Sequence, residues 1–191
     1  MAEIILITGG ARSGKSRHAL QLAESLAGEK LFVATSPVTD PEMHQRIERH
    51  RVERRGSGWQ TVEETVELDE VLLANREYQM VLVDCLTLWV NNLLFTDAAN
   101  ELTEDLLSAM VGKVIEACRE RRGTVLLVTN EVGLGIVPEN PLARRYRDLV
   151  GRCNQEFGAA ADRVVMTICG IPLEVKGRFK VQASRFKDKD F

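Results

Sequence analysis

The sequence predicts a single α/β domain, a mostly parallel sheet with helices on both faces, and three observations predict it. Short continuous apolar runs recur along the 191 residues. Stretches with helical spacing alternate with them. A glycine-rich loop joins the first run to the first of those stretches. Alternating strands and helices bury a parallel sheet between two helical layers, and one core of this size suits a chain of this length.

Taken in order, Ile4-Ile5-Leu6-Ile7-Thr8 is apolar without alternation, as in a strand covered on both faces. After Ser16, residues Ala19, Leu20, Leu22, Ala23, Leu26 and Ala27 recur at helical spacing, with Gly28 as a terminator. Further strands are expected at 31–34, 81–83, 125–128 and 164–168, and further helices at 41–54, 87–95, 104–121 and 142–161. The pattern is doubly wound, with no linker or internal repeat. Residues 1–176 read as the nucleotide-binding domain. Residues 177–191 read as a polar, basic tail, either a solvated terminus or a partner-binding segment.

Composition narrows the function classes. A net charge of −3 argues against nucleic acid as a primary partner, because phosphate-backbone binders carry a clustered basic excess. No apolar run approaches the roughly 20 residues that span a bilayer. Met1-Ala2-Glu3 leads straight into a strand, so a cytoplasmic location is expected. Cys85, Cys118, Cys153 and Cys169 form no C-x-x-C pair, which leaves zinc and dithiol chemistry without support. Most of them read as buried thiols; Cys85, after a strand-end aspartate, either packs in the core or lines the site.

The loop carries the chemistry. Gly9-Gly10-Ala11-Arg12-Ser13-Gly14-Lys15-Ser16 follows a strand and opens a helix, the setting in which a P-loop holds phosphate. Gly9 and Gly14 let backbone approach phosphate oxygens, Lys15 reaches the β- and γ-phosphates, and Ser16 is a ligand for Mg²⁺. The helix that follows turns its positive end to the same place. Asp84 ends the apolar run Met80-Val81-Leu82-Val83, where a P-loop site needs its metal-side carboxylate; the alternative is a cap for the helix near Thr87.

Asp40-Pro41-Glu42 is a helix start, and on that helix Met43, Ile47, His50 and Arg54 share a face. Neighbouring arginines disfavour the imidazolium, so His50 keeps a lone pair suited to attack on phosphorus. Arg46, Arg49, Arg51, Arg54 and Arg55 are partly balanced by Glu48 and Glu53, so the pattern equally fits a solvated charged helix. His18 and His44 rank below His50.

With these residues in hand, the chain resembles the bifunctional adenosylcobinamide kinase and adenosylcobinamide-phosphate guanylyltransferase family. The resemblance rests on Thr8 to Arg17, Ala34-Thr35-Ser36, Glu42-Met43 with Arg46-Ile47 and His50-Arg51, Trp59 with Thr61 and Glu63, and Val128-Thr129-Asn130-Glu131-Val132-Gly133 continuing as Gly135-Ile136-Val137-Pro138-Glu139-Asn140. It implies phosphorylation of the adenosylcobinamide hydroxyl by ATP or GTP, then transfer of GMP from GTP to that phosphate with release of pyrophosphate. It implies a GMP-carrying histidine at His50. Nucleotide contacts are implied at Gly9, Gly10, Ala11, Arg12, Ser13, Gly14, Lys15 and Ser16, at Ala34, Thr35 and Ser36, at Arg51, Val52, Glu53 and Arg54, and at Glu63 and Asp84. A RecA-like fold and a homotrimer are implied as well.

Departures from expectation exist. Residues from Gly177 onward extend past the expected end of the family. Asn130-Glu131-Val132-Gly133 is not the guanine-reading N-K-x-D, so base recognition comes from elsewhere. No D-x-H-x-x-G segment offers a histidine to cobalt. Competing readings are a single-activity small-molecule P-loop kinase and a non-catalytic nucleotide-dependent regulator.

Overall fold

The computed structural model describes residues 1–37, 58–96 and 102–177. A seven-stranded sheet is built from β1 (Glu3–Gly9), β2 (Lys30–Ala34), β3 (Trp59–Glu63), β4 (Met80–Asp84), β5 (Thr124–Val128), β6 (Arg163–Ile168) and β7 (Ile171–Lys176). Its order is β3-β2-β4-β5-β1-β6-β7, parallel throughout except that β7 runs antiparallel to β6. The helices are α1 (Lys15–Glu24), α2 (Leu68–Ala74), α3 (Leu86–Phe95), α4 (Glu104–Glu120) and α5 (Pro141–Ala160), with a 3₁₀ turn at Val132–Leu134.

Alternation along β1 divides the core. Ile4 and Leu6 face a cluster formed with Leu68 and Leu72 of α2, Trp89 and Val90 of α3, Leu107 and Val111 of α4 and Leu149 and Phe157 of α5. Ile5 and Ile7 face the opposite cluster with Ala19 and Ala23 of α1. Both faces of the central strands are thus covered, which is why their sequences carry no polar alternation. Trp89 is fully buried and donates its indole N–H to the Val66 carbonyl at 2.7 Å, so its polar edge is satisfied.

The five expected strands are all present, and helices occupy the expected stretches that fall on described residues. The helix expected at 41–54, and with it His44 and His50, lies outside the described residues, as does 178–191. α1 stops at Glu24 with Ser25 as its cap, ahead of Gly28, which instead takes φ +106° in the turn into β2. Two strands and one helix were not expected. β3 has a largely exposed polar sequence, β7 is exposed along its whole length, and α2 has only seven residues. Caps fix the longer helices. Thr103 Oγ1 accepts from Leu106 N–H at the start of α4, and Asn140 Oδ1 accepts from Leu142 and Ala143 ahead of Pro141 in α5.

Candidate active site

Parallel strands in this order bring the C-terminal ends of β1, β2, β4 and β5 to one edge, where α/β folds place their ligands. The loop between β1 and α1 occupies that edge. Arg12 at φ +57° and Gly14 at φ +93° give it the positive-φ turns with which an anion-cradling loop is built. Ser13 N–H closes the turn on the Gly10 carbonyl at 3.2 Å, and Lys15 Nζ lies across it at 3.0 Å from the same oxygen. Lys15 is 8% exposed, so its charge is held at the loop instead of being spread into water.

The loop is braced from the β6 side. Ser13 Oγ lies 2.9 Å from Thr167 Oγ1, Thr167 Oγ1 donates to the Thr8 carbonyl at 3.2 Å, and Gly170 N–H donates to the Ser13 carbonyl at 2.9 Å. Gly9, at φ +149°, packs so closely on Thr167 that a methyl group there would sit 2.5 Å from its carbonyl oxygen. Thr167 and Gly170 were not singled out in the sequence, because nothing local marks them as loop supports.

Strand register assembles three of the expected residues. Ala34 pairs with Glu63 on one side and with Asp84 on the other, which places all three in one row across β3, β2 and β4. Thr35 follows that row fully buried, its hydroxyl accepting from Cys85 N–H at 2.6 Å and donating to the Cys85 carbonyl at 2.8 Å. Its side chain therefore locks the ends of β2 and β4 together, and Ala34 and Ser36 present the more open surface. Cys85 packs in the core beside α1; burial first, then the neighbouring Asp84 charge, pushes its thiol up to about 11. His18, half-buried on α1, is held below its ordinary value by burial and then by the Arg163 charge, so it stays neutral at pH 7.

A polar network lies between the loop and α5. Thr8 Oγ1 donates to Glu131 Oε1 at 2.5 Å, and Asn154 Nδ2 donates to the Asn130 carbonyl at 3.0 Å and to Glu131 Oε1 at 3.3 Å. Thr129 Oγ1 donates to Asn154 Oδ1 at 2.6 Å. Thr87 Oγ1 accepts from the Asn130 N–H at 2.9 Å and from its side-chain amide at 3.0 Å. Thr129-Asn130-Glu131 belongs to a long sequence block whose residue pattern by itself assigns it no role.

Comparison with known proteins gives this geometry a family. Residues 5–175 match the model for the family described as cobinamide kinase / cobinamide phosphate guanyltransferase. The chain belongs to that family. It is 44% identical over 185 residues to the bifunctional adenosylcobalamin biosynthesis protein CobU of Escherichia coli strain K12, covering 91% of this chain and 99% of that protein. The Salmonella typhimurium strain LT2 protein of the same name is 42% identical over 185 residues, with the same coverage. The bifunctional adenosylcobalamin biosynthesis protein CobP of Pseudomonas aeruginosa is 41% identical over 173 residues, 90% of this chain and 96% of that protein. In fold the chain is similar to the crystal structure of the RadB recombinase, with TM-score 0.51 at 14% identity, covering 86% of this chain and 73% of that one. That likeness is one of architecture, and it agrees with the RecA-like sheet that the sequence resemblance implied.

Among the described residues no group of three or more His, Cys, Asp or Glu side chains is arranged to hold a metal ion. Magnesium at a P-loop needs no such cage, being held by one or two protein oxygens and the phosphates themselves. Ser16 at the start of α1 and Asp84 at the end of β4 are oxygen donors of that kind, and both remain partly accessible. No helix among the described residues is long and apolar enough to cross a membrane.

Proposed function

We propose that a single phosphate-holding loop, Gly9 to Ser16, serves both reactions of the family. The chain phosphorylates the hydroxyl of adenosylcobinamide with ATP or GTP, then transfers GMP from GTP onto the new phosphate. The observation that supports this most is the loop itself, braced by Thr167 and Gly170, with Lys15 folded over it and the Ala34, Glu63 and Asp84 row beside it.

In the first reaction the hydroxyl oxygen attacks the γ-phosphorus, and the bond from that phosphorus to the β–γ bridging oxygen breaks. Phosphoryl transfer of this kind is mainly positioning and charge stabilisation, which loop amides and Lys15 supply. Magnesium bound by Ser16 and Asp84 shields phosphate charge when present. Gly9 to Ser16, Ala34, Ser36, Glu63 and Asp84 hold the nucleotide, with Arg51, Val52, Glu53 and Arg54 completing the contacts.

In the second reaction the neutral imidazole of His50 attacks the α-phosphorus of GTP, and the bond to pyrophosphate breaks with its electron pair leaving on pyrophosphate. A phosphate oxygen of adenosylcobinamide phosphate then attacks the same phosphorus and displaces the histidine. The covalent intermediate splits one hard transfer into two easier ones. Lys15 holds the departing pyrophosphate as it holds the γ-phosphate in the first reaction. The working assembly is a homotrimer, for which the exposed apolar side chains Ile171, Leu173 and Val175 of β7 offer a surface.

Incubation with α-labelled GTP tests the reading. Acid-labile, alkali-stable label is expected on the wild-type protein and is expected to be lost in His50→Asn, which keeps its kinase activity. Normal labelling of that variant contradicts the assignment. Absence of protein-bound GMP in the wild type, with kinase turnover intact, favours a single-activity kinase.

A further inference from the structure

The kinase reaction releases a proton and so needs an acceptor for it. Joining an alcohol oxygen to phosphorus breaks an O–H bond, and a carboxylate within reach of that oxygen speeds the step by orienting the hydroxyl and taking its proton. Lys15 is a cation, Asp84 is the metal-side carboxylate, and His50 serves the other reaction. Glu131 is a further carboxylate at this edge of the sheet.

Its position is fixed by three elements, β5, β1 and α5. It follows β5, the strand that lies between β1 with its loop and β4 with Asp84. Its backbone N–H donates to the Gly9 carbonyl at 3.2 Å, so its start is tied to the first glycine of the loop. Its Oε1 accepts from Thr8 Oγ1 at 2.5 Å and from Asn154 Nδ2 at 3.3 Å. Asn154 is held in turn by Thr129 Oγ1 and by the Asn130 carbonyl.

Both side-chain bonds fall on one oxygen. The second, Oε2, accepts no hydrogen bond from a described residue, and no described cation pairs with the carboxylate. The side chain remains partly exposed. A carboxylate clamped through one oxygen and open through the other is oriented to receive a proton. A purely bracing residue would need only the clamped half.

We propose that Glu131 takes the proton of the substrate hydroxyl in the kinase reaction, a role that rests on the kinase reading above. As the alcohol oxygen bonds to the γ-phosphorus, its O–H bond breaks and the proton passes to Oε2. The nucleoside diphosphate leaves with the electron pair of the broken bridging bond, and Glu131 later returns the proton to water. The guanylyl transfer makes no such demand, because its nucleophiles, an imidazole lone pair and a phosphate oxygen, have no proton to lose. Glu131 therefore distinguishes the two reactions although the loop beside it serves both.

The test uses the full chain and scores the two reactions separately, the second on pre-formed adenosylcobinamide phosphate. Wild-type phosphorylation is measured first; its absence overturns the kinase reading itself. With Glu131→Gln, the kinase kcat is expected to fall by about 10²–10⁴-fold, the range general-base removal covers. The nucleotide KM and the guanylyl transfer rate should stay within about threefold of wild type, since only a transition-state contact is lost. Glu131→Asp, which keeps a carboxylate one methylene short, should recover part of the kinase kcat and serves if the glutamine variant does not fold. Equal loss of both reactions, a raised nucleotide KM at unchanged kcat, or an aspartate variant no better than glutamine would assign Glu131 to bracing the loop and overturn the proposal.

Discussion

Replacing Gly9 by alanine probes how the loop is held, and its cost can be worked from the structure. Gly9 ends β1 at φ +149°, and an added Cβ would lie 2.5 Å from the Thr167 carbonyl oxygen, 2.7 Å from Ser13 Oγ and 2.8 Å from Thr167 Oγ1. The first of these belongs to β6 backbone, paired with β1 at this level, so it cannot rotate away. An L-residue at positive φ costs about 1–2 kcal/mol, and forcing a methyl into a packed site costs about 1–3 kcal/mol. Together these give about 2–5 kcal/mol, or a melting point lowered by roughly 4–20 °C for a domain of this size. Gly10 is the internal control: nothing lies within 4 Å of its added Cβ, and its φ is not in the positive region. Gly10→Ala should melt within about 2 °C of wild type, since surface changes usually stay near ±0.5 kcal/mol, while weakening nucleotide binding where backbone must approach phosphate. Thermal melts and nucleotide titrations of both variants decide the matter. A Gly9→Ala protein with wild-type melting and wild-type affinity refutes the bracing of the loop by Thr167.

Two further expectations concern titrating groups. Burial raises the thiols of Cys85 to about 11 and Cys118 to about 12, and also raises that of Cys153, whereas Cys169 is exposed in the turn between β6 and β7. Thiolate is the reactive form, so a disulfide reagent at pH 8 should modify Cys169 quickly and the other three only after denaturation; rapid reaction of more than one thiol contradicts the packing. Asp162 accepts from Arg119 Nη1 at 2.8 Å and from Ile4 N–H at 2.8 Å, and the Arg119 bond leads in holding its carboxyl below the ordinary value. A lowered folded value means that the stabilisation is complete above the unfolded value of about 4 and disappears as pH falls through the folded one. The side chain is 42% exposed, so solvent screening keeps the effect within about 1 kcal/mol. Asp162→Asn should therefore be less stable at pH 7 and converge with wild type near pH 2; a constant gap across that range contradicts the linkage.

The loop was legible because each of its requirements is local: a strand, glycines at tight positions, a lysine, a hydroxyl and a helix. The central strands were legible because burial on both faces removes polar alternation. β3 was not, since it pairs on one side only and Gln60, Thr61 and Glu63 are exposed. β7 was hidden by Pro172 and by lying at the sheet edge, where packing imposes little pattern. α2 is too short for a helical period to emerge from Leu68, Val71 and Leu72. The row of Ala34, Glu63 and Asp84 depends on strand register, and the clamp on Glu131 joins residues 123 apart along the chain, so neither has a local signature.

The claim that one loop serves two reactions is tested most directly by Lys15→Ala, with kinase turnover and guanylyl transfer onto pre-formed adenosylcobinamide phosphate measured on the same preparation. Loss of a preorganised charge beside phosphate is expected to lower both rates by about 10²–10³-fold while the melting point holds. A variant that keeps either reaction near its wild-type rate would show that the two reactions use different phosphate sites.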